Sequence, residues 1–279
     1  MDKENHLIII HTFGLGDIIM ASGAIDKIKD EGYEYSIFVK EKSVFDYLKH
    51  KGHPVILGGP FHALLNSLSL KFKNKTNQII RTTGGTELKN KLFKFLASLL
   101  LIKFSYSFLG ISNNNLHRRE ENIFILEEAL KRKIKFNEDT KSNLFEKESQ
   151  KEQLLINDDL PIAFHFGFGD KLRKSLEEKK IREIISTYRK KYPKNTFIQI
   201  IGPREKKSMA EEFDQVWDGL SISELIESSN LISLCVCNDT GIGHLLGKEG
   251  VPVDLWINSD SKAIIEKVYP ENLRNLRRI

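Results

Sequence analysis

The sequence has little cysteine and no recognisable metal-binding pattern. Cys235 and Cys237 are the only two cysteines among 279 residues. Their spacing places both side chains on one face of a predicted strand, which favours reduced core residues over a disulfide. No Cys or His pair nearby completes a zinc site, and no Asp-x-Asp pair occurs that would hold another metal. We therefore expect a cytosolic protein without a bound metal.

Long apolar runs are also missing. No segment reaches the roughly 20 apolar residues that a membrane-spanning helix requires, and the charged N-terminus is unlike a secretory signal peptide. The nearest candidate is KLFKFLASLLLIKF at residues 91–104, which lysines interrupt. It is either a helix packed inside the domain or an interfacial helix whose lysines contact anionic lipid. Peripheral contact with an anionic membrane is thus an open alternative to a purely cytoplasmic location.

The excess of positive charge is small. The chain has 43 Lys and Arg residues against 38 Asp and Glu, a net charge of +5. No basic stripe alternates with aromatic residues, so nucleic acid is not an expected partner. The charge suits anionic small molecules or an anionic membrane. Hydrophobic and charged contents of 40% and 29% are those of a folded globular protein.

Strand and helix patterns alternate along both halves of the chain. The first half begins with HLIIIH at residues 6–11, and the alternation restarts with PIAFHF after a polar segment at 137–160 that is the candidate linker. Such alternation predicts parallel sheets built from right-handed crossovers. We expect an α/β protein of two Rossmann-like domains, residues 1–150 and 151–279, facing each other across a central cleft.

A polar turn, NDTGIGHLLG at residues 238–247, follows the apolar segment LISLCVC. Ligands of open α/β sheets bind beyond the carboxyl ends of the strands. The first amides of a helix attract an anion there, and glycine lets the anion approach the backbone. Thr240, Gly241 and His244 therefore form a candidate pyrophosphate site. Alternatively, Asp239 caps the helix and His244 is an incidental surface residue.

Two other strand ends in the second half combine glycine with charge. HFGFGDKLRK, residues 165–174, has glycines that would let the backbone approach a ligand, with Lys171 and Arg173 as candidate phosphate ligands. IIGPREKK, residues 200–207, offers Glu205 as an acceptor for ribose or base hydroxyls. In both segments the alternative is a loop with solvated charges.

The first glycine loop, TFGLGD at residues 12–17, matches a dinucleotide fingerprint only in part. Gly14 and Gly16 fit the first two glycines, but position 19 is Ile, which disfavours a Rossmann-type oxidoreductase that uses NAD. Asp17 is a carboxylate on this loop and a candidate general base facing the expected cleft. A helix cap is the alternative interpretation of Asp17.

Together these motifs resemble glycosyltransferase family 9, the bacterial lipopolysaccharide heptosyltransferases, over most of the chain. The family's glycine–Asp turn is matched by GLGDIIMASGAIDKIK and its D-[ST]-G-x-x-H signature by DTGIGH, with VPVDLW following. The resemblance implies the GT-B fold and an inverting, metal-independent transfer of a sugar. The expected donor is a nucleotide sugar, ADP-heptose, with no further cofactor, and the expected acceptor is lipid-linked or a core oligosaccharide.

The resemblance also implies residue roles. Asp17 matches the proposed catalytic base, and Gly14 and Gly16 lie in the acceptor-side loop. Lys171 matches a lysine that contacts the donor phosphate, and Glu205 lies near a nucleoside-binding glutamate. The sugar- and phosphate-binding signature is matched by Asp239, Thr240, Gly241 and His244. Because the chain is shorter than typical members, a non-catalytic nucleotide-sugar-binding or partner subunit with this fold is the alternative function.

Overall fold

The chain divides into two compact units, Met1–Ile134 and Lys135–Ile279. Each unit contains one parallel β-sheet, which confirms the predicted α/β class. The expected domain boundary at 150 lies outside the described residues. The computed structural model describes residues 6–72, 77–82, 87–106, six positions between 122 and 130, 156–167, 176–202, 205, 209–257 and 270–278.

Among its described residues, the first unit has five parallel strands in the order β3-β2-β1-β4-β5. Its strand order reverses between β1 and β4, so the carboxyl ends of these strands form its topological switch point. Residues 7–11 of β1 are all buried, as expected for a central parallel strand. The elements are β1 (His6–His11), α1 (Leu15–Asp30), β2 (Tyr35–Val39), α2 (Lys42–His50), β3 (Val55–Leu57), α3 (Pro60–Phe72), β4 (Asn77–Arg81), α4 (Glu87–Leu99) and β5 (Lys103–Tyr106).

The two faces of this first sheet carry different helices. On one face Ile8 and Ile10 of β1 belong to a core with Ala63 of α3 and Ala97 of α4. On the other face Ile9 lies against α1. Successive strand residues point to opposite faces, which explains this division. Helices α3 and α4 therefore share one face of the sheet.

The segment at residues 91–104 is not a single helix. Helix α4 ends at Leu99, Leu101 adopts a left-handed backbone with a φ of 55°, and Lys103 begins β5. The amides of Leu101 and Ile102 donate to the carbonyls of Ser98 and Ala97, which closes the last turn. None of the helices in the described residues is long and apolar enough to cross a membrane.

In the described part of the second unit, six parallel strands lie in the order β11-β10-β9-β6-β7-β8, with the switch point between β6 and β9. Strands β8 and β11 were not evident from the apolar pattern, and EKKSMAEEF contributes only a 3-10 turn, Ala210–Glu212, to the described structure. The elements are β6 (Ile162–His165), α5 (Glu178–Lys191), β7 (Phe197–Ile201), β8 (Gln215–Asp218), α6 (Ile222–Glu227), β9 (Leu234–Cys237), α7 (Gly241–Lys248), β10 (Val253–Ile257) and β11 (Leu273–Arg278).

A buried charge network attaches β11 to this sheet. Asp254 of β10 is fully buried and accepts hydrogen bonds from Arg274, Asn275 and the hydroxyl of Tyr188 in α5. Burial, with the adjacent Asp254 carboxylate, raises the pKa of Tyr188, so this donor keeps its proton. A buried ion pair is stable only when such additional hydrogen bonds accompany it.

Cys235 and Cys237 of β9 are buried free thiols, as predicted.

Candidate functional site

Polar side chains collect at the switch point of the second sheet. Strands β6 and β9 end at His165 and Cys237, which pair in register. His165 and the three polar residues Asn238, Thr240 and His244 that follow β9 are all buried. Open α/β sheets bind ligands at this position, beyond the carboxyl ends of the strands.

Asn238 is a candidate that sequence reasoning missed. It is 3% exposed, and its side-chain amide nitrogen and oxygen have no hydrogen-bond partner among the described residues. Leaving a buried polar group unsatisfied costs about 1–3 kcal/mol, so a ligand that bonds to Asn238 recovers that energy. A polar residue directly after a buried strand was the available signal.

Helix α7 begins immediately after this turn. Thr240 is its N-cap, since its hydroxyl accepts a hydrogen bond of 3.3 Å from the amide of Gly243. Asp239 is therefore not the helix cap. The first amides of α7 and the helix dipole favour an anion at this end, where Gly241 is the first helical residue.

Two glycines hold α7 close to its neighbours. A Cβ on Gly243 would lie 2.5 Å from the sulfur of Cys237, and one on Gly247 would lie 2.2 Å from the carbonyl oxygen of Glu271. Neither distance leaves room for a methyl group. Close packing against β9 thus fixes where the N-terminus of α7 lies, as glycine does in dinucleotide-binding folds.

His244 is a buried residue, which rules out the surface alternative. Its side chain is 2% exposed, and its Nε2 lies 3.4 Å from Oδ1 of Asp239. A proton on Nε2 suits that carboxylate and leaves Nδ1 as an acceptor in the neutral ring. Nδ1 is buried without a hydrogen-bond partner among the described residues. The observed contact is with Asp239, and contact of His244 with an anion stays a prediction.

Glu205 lies beside this edge but is already held by the protein. Its Oε2 accepts a hydrogen bond of 2.8 Å from the amide of Gly202. Its Oε1 occupies the space that a Cβ on Gly167 would take, at 1.5 Å. The room that the sequence suggested for a ligand at Gly167 is therefore filled by the Glu205 carboxylate.

His165 completes this group and was not singled out from the sequence. Its Nδ1 lies 3.0 Å from the carbonyl oxygen of Ile200, which only accepts, so Nδ1 carries a proton. Its Nε2 lies 3.6 Å from Oε1 of Glu205. A histidine at the last position of an apolar strand was the available signal.

Two other candidate donor ligands, Lys171 and Arg173, lie outside the described residues. Their contacts with a phosphate stay predictions.

The first unit carries Asp17 at its own switch point. Gly14 is the N-cap of α1, Gly16 lies in its first turn, and Asp17 follows as the third helical residue. Asp17 is therefore not the cap, although a carboxylate in the first turn is stabilised by the helix dipole. A Cβ on Gly14 would meet nothing within 4 Å. The loop before Asp17 is thus open on its exposed side.

A buried histidine fixes this loop. His11 Nδ1 lies 2.7 Å from the hydroxyl of Thr82, and Nε2 lies 3.4 Å from the carbonyl oxygen of Gly14. Burial lowers the pKa of His11 to about 4, against the opposing effect of the Asp17 charge, so its ring is neutral at physiological pH. Arg81 donates a hydrogen bond of 3.0 Å to the hydroxyl of Thr12. None of His11, Arg81 and Thr82 was singled out from the sequence.

Both units are thus Rossmann-like sheets whose polar residues gather at the switch point, as the predicted GT-B fold class requires of each unit. The predicted fold class is confirmed.

No protein-family model matches the chain, and no curated protein matches it in sequence. Solved structures match it in fold. A glycosyl transferase family 9 protein from Veillonella parvula is 14% identical with a TM-score of 0.68, over 100% of this chain and 88% of that one. E. coli heptosyltransferase WaaC with ADP is 14% identical with a TM-score of 0.67, over 98% and 93%. E. coli ADP-heptose lps heptosyltransferase II is 12% identical with a TM-score of 0.62, over 99% and 90%. The predicted resemblance to family 9 is confirmed for the fold.

Proposed function

We propose that this protein is an inverting glycosyltransferase that moves a sugar from a nucleotide sugar to an acceptor hydroxyl. The observation that carries the proposal is the switch point of the second unit. Buried polar atoms of Asn238 and His244 that have no hydrogen-bond partner among the described residues lie there beside the N-terminus of α7. A polar ligand with a negative charge matches both features.

The donor proposed for this site is ADP-heptose. Structures of the E. coli WaaC enzyme contain ADP and an ADP-2-deoxy-2-fluoro heptose. In the present chain the α7 amides at Gly241 and the Thr240 hydroxyl would bind the diphosphate, with Lys171 and Arg173 adding positive charge. Asp239, oriented by His244, would accept hydrogen bonds from the sugar, and Glu205 would bind the nucleoside.

Asp17 is proposed as the general base. The acceptor oxygen attacks the anomeric carbon, its proton passes to the Asp17 carboxylate, and the bond from the anomeric carbon to the β-phosphate oxygen breaks. Negative charge then develops on the nucleoside diphosphate. Fixed donors aimed at such charge are usually the largest catalytic contribution, about 10²–10³ in turnover for each donor. Metal independence is part of the proposal, so EDTA should leave turnover unchanged.

The proposed acceptor is a lipid-linked or core oligosaccharide of a surface glycan such as lipopolysaccharide, handled in the cytoplasm. Gly14 and Gly16 would form the acceptor-side loop. Because the open loop at Gly14 precedes Asp17 directly, an acceptor hydroxyl bound there would come close to the carboxylate.

The first test is a thermal-shift screen with ADP, UDP, GDP, CMP and NAD. A nucleotide present at 100 times its Kd should add about 2.7 kcal/mol of stability, and we expect this for ADP alone. Stabilisation by NAD alone would instead support an oxidoreductase. Stabilisation by none of them would contradict a nucleotide-binding site.

The second test separates the two proposed roles. Asp17→Asn should bind ADP with unchanged affinity and lose sugar transfer, because only the base is removed. His244→Ala should weaken ADP-heptose binding, because Asp239 loses its neighbour. Normal transfer by Asp17→Asn would show that another group is the base. Donor binding without transfer in the unmodified protein would support the non-catalytic alternative.

A further inference from the structure

Exposed apolar side chains are concentrated in one part of the first unit. Of the eleven large hydrophobic residues exposed in the described part of the chain, ten belong to β3, α3, α4 and the turn after α4. The eleventh is Leu231 in the second unit. Scattered exposed apolar residues are normal, but a concentration of this kind marks an interaction surface.

Helix α4 is apolar over more than the side that packs on the sheet. Phe93 and Ala97, followed by Leu100, pack on the core of the first sheet. A second stripe, beside the one that faces the core, repeats at i, i+3, i+4 and i+7 and would be polar on an ordinary surface helix. Instead it consists of Leu92, Phe95, Leu96 and Leu99, with exposures of 41% to 64%.

Helix α3 contributes a second exposed stripe on the same face of the sheet. Phe61, Leu65 and Phe72 are 67%, 50% and 87% exposed. The ammonium group of Lys71, near the end of α3, donates a hydrogen bond of 2.9 Å to the carbonyl oxygen of Leu100. The ends of the two helices are therefore adjacent. We call the exposed stripes of α3 and α4, with Lys71, Lys91 and Lys94, the apolar–basic surface.

The positive charge of the chain is found in the same segment. Residues 55–106 contain eight Lys and Arg and one Glu, a net charge of +7. The whole chain carries +5, so the remaining residues carry −2. Lys71, Lys91 and Lys94 are exposed. Phe and Leu flanked by lysines are typical of protein surfaces that insert into anionic lipid.

We propose that the apolar–basic surface docks on an anionic phospholipid bilayer. The apolar stripes would enter the boundary between headgroups and acyl chains, while the lysines contact lipid phosphates. Contact with a second copy of the chain would bring two positively charged faces together, which is unfavourable. The inference does not rest on the proposed sugar transfer.

Vesicle flotation without donor or acceptor tests this surface. The protein should bind vesicles that contain phosphatidylglycerol, bind phosphatidylcholine vesicles weakly, and dissociate at high salt. Phe95→Ser and Leu99→Ser should each lower the partition coefficient about tenfold or more, because a buried apolar side chain is lost. Lys91→Gln with Lys94→Gln should lower the partition coefficient about 25-fold, since each lysine contributes about fivefold. The matched control Leu231→Ser removes an exposed leucine from the other unit and should bind like the unmodified protein.

Unmodified binding by the Phe95, Leu99 and lysine variants, with circular dichroism unchanged, would overturn the proposal. So would the absence of any binding to the anionic vesicles. If the protein sediments as a dimer that Phe95→Ser with Leu99→Ser makes monomeric, and binds no vesicles, the surface is instead an interface between copies.

Discussion

Replacing Gly243 by alanine tests whether close packing positions the proposed donor site. The new Cβ would lie 2.5 Å from the sulfur of Cys237. Its next neighbours, Cys237 Cβ at 3.6 Å and the Asn238 carbonyl oxygen at 3.7 Å, are at ordinary contact distances. The sulfur atom alone therefore obstructs the substitution, and Cys237→Ala removes it.

The effect of Gly243→Ala on the free energy of unfolding should depend on whether the Cys237 sulfur is present. Overpacking a buried site costs about 1–3 kcal/mol, whereas replacing glycine by alanine inside a helix gains up to about 1 kcal/mol. Gly243→Ala alone should thus lower the free energy of unfolding by up to about 2 kcal/mol. In the Cys237→Ala background the same change should be neutral or stabilising by up to about 1 kcal/mol.

Tryptophan fluorescence in urea reports the unfolding of the second unit of the chain, which contains Gly243. Both tryptophans of the chain, Trp217 and Trp256, lie in the second unit. ADP affinity should follow stability, falling in Gly243→Ala and recovering in the double variant, because α7 carries the proposed phosphate-binding amides. Equal destabilisation by Gly243→Ala with and without the Cys237 sulfur would refute the steric explanation.

Three further predictions concern other buried groups. Gly167→Ala should displace the Glu205 carboxylate, whose oxygen lies 1.5 Å from the new Cβ, and weaken ADP binding in calorimetry. Asp254→Asn should lower the free energy of unfolding in urea by about 3–5 kcal/mol, because it leaves the part-buried Arg274 charge without its fully buried partner. The pKa of His11 is lowered from 6.5 to about 4, so its contribution to stability is full above pH 6.5 and is lost as pH falls towards 4. The free energy of unfolding should change with pH by no more than about 1.4 kcal/mol per pH unit through this group. In NMR, the His11 ring resonances should not titrate between about pH 5 and 8.

Each of these has a control or a contrary result. The double variant Gly167→Ala with Glu205→Ala should recover stability but not ADP affinity. Normal ADP binding by Gly167→Ala would show that Glu205 does not contribute to the ADP site. Glu211→Gln, at an exposed ion pair with Arg182, should leave the free energy of unfolding nearly unchanged. An equally small effect of Asp254→Asn would contradict its network role. A His11 resonance that titrates between about pH 5 and 8 would contradict the burial argument.

Local sequence patterns predicted the main elements of both units. Apolar runs such as residues 6–11 became central strands, and NDTGIGH became a strand end, a capped turn and a helix start. These features follow from neighbouring residues alone. Strands β8 and β11 were missed because QVWD is half exposed and LRNLRR carries three arginines, so neither has a long apolar run.

The sequence by itself determined the α/β class, the parallel strands and the polar turns at their ends, because periodicity and turn chemistry act within a few residues. Only the tertiary structure decided that Glu205 fills the space at Gly167, that the Asn238 side chain is buried with no partner in the described part of the chain, and that one side of α4 stays exposed. Those outcomes depend on contacts between segments far apart in the chain. No local pattern records which of two apolar helix faces the sheet will cover.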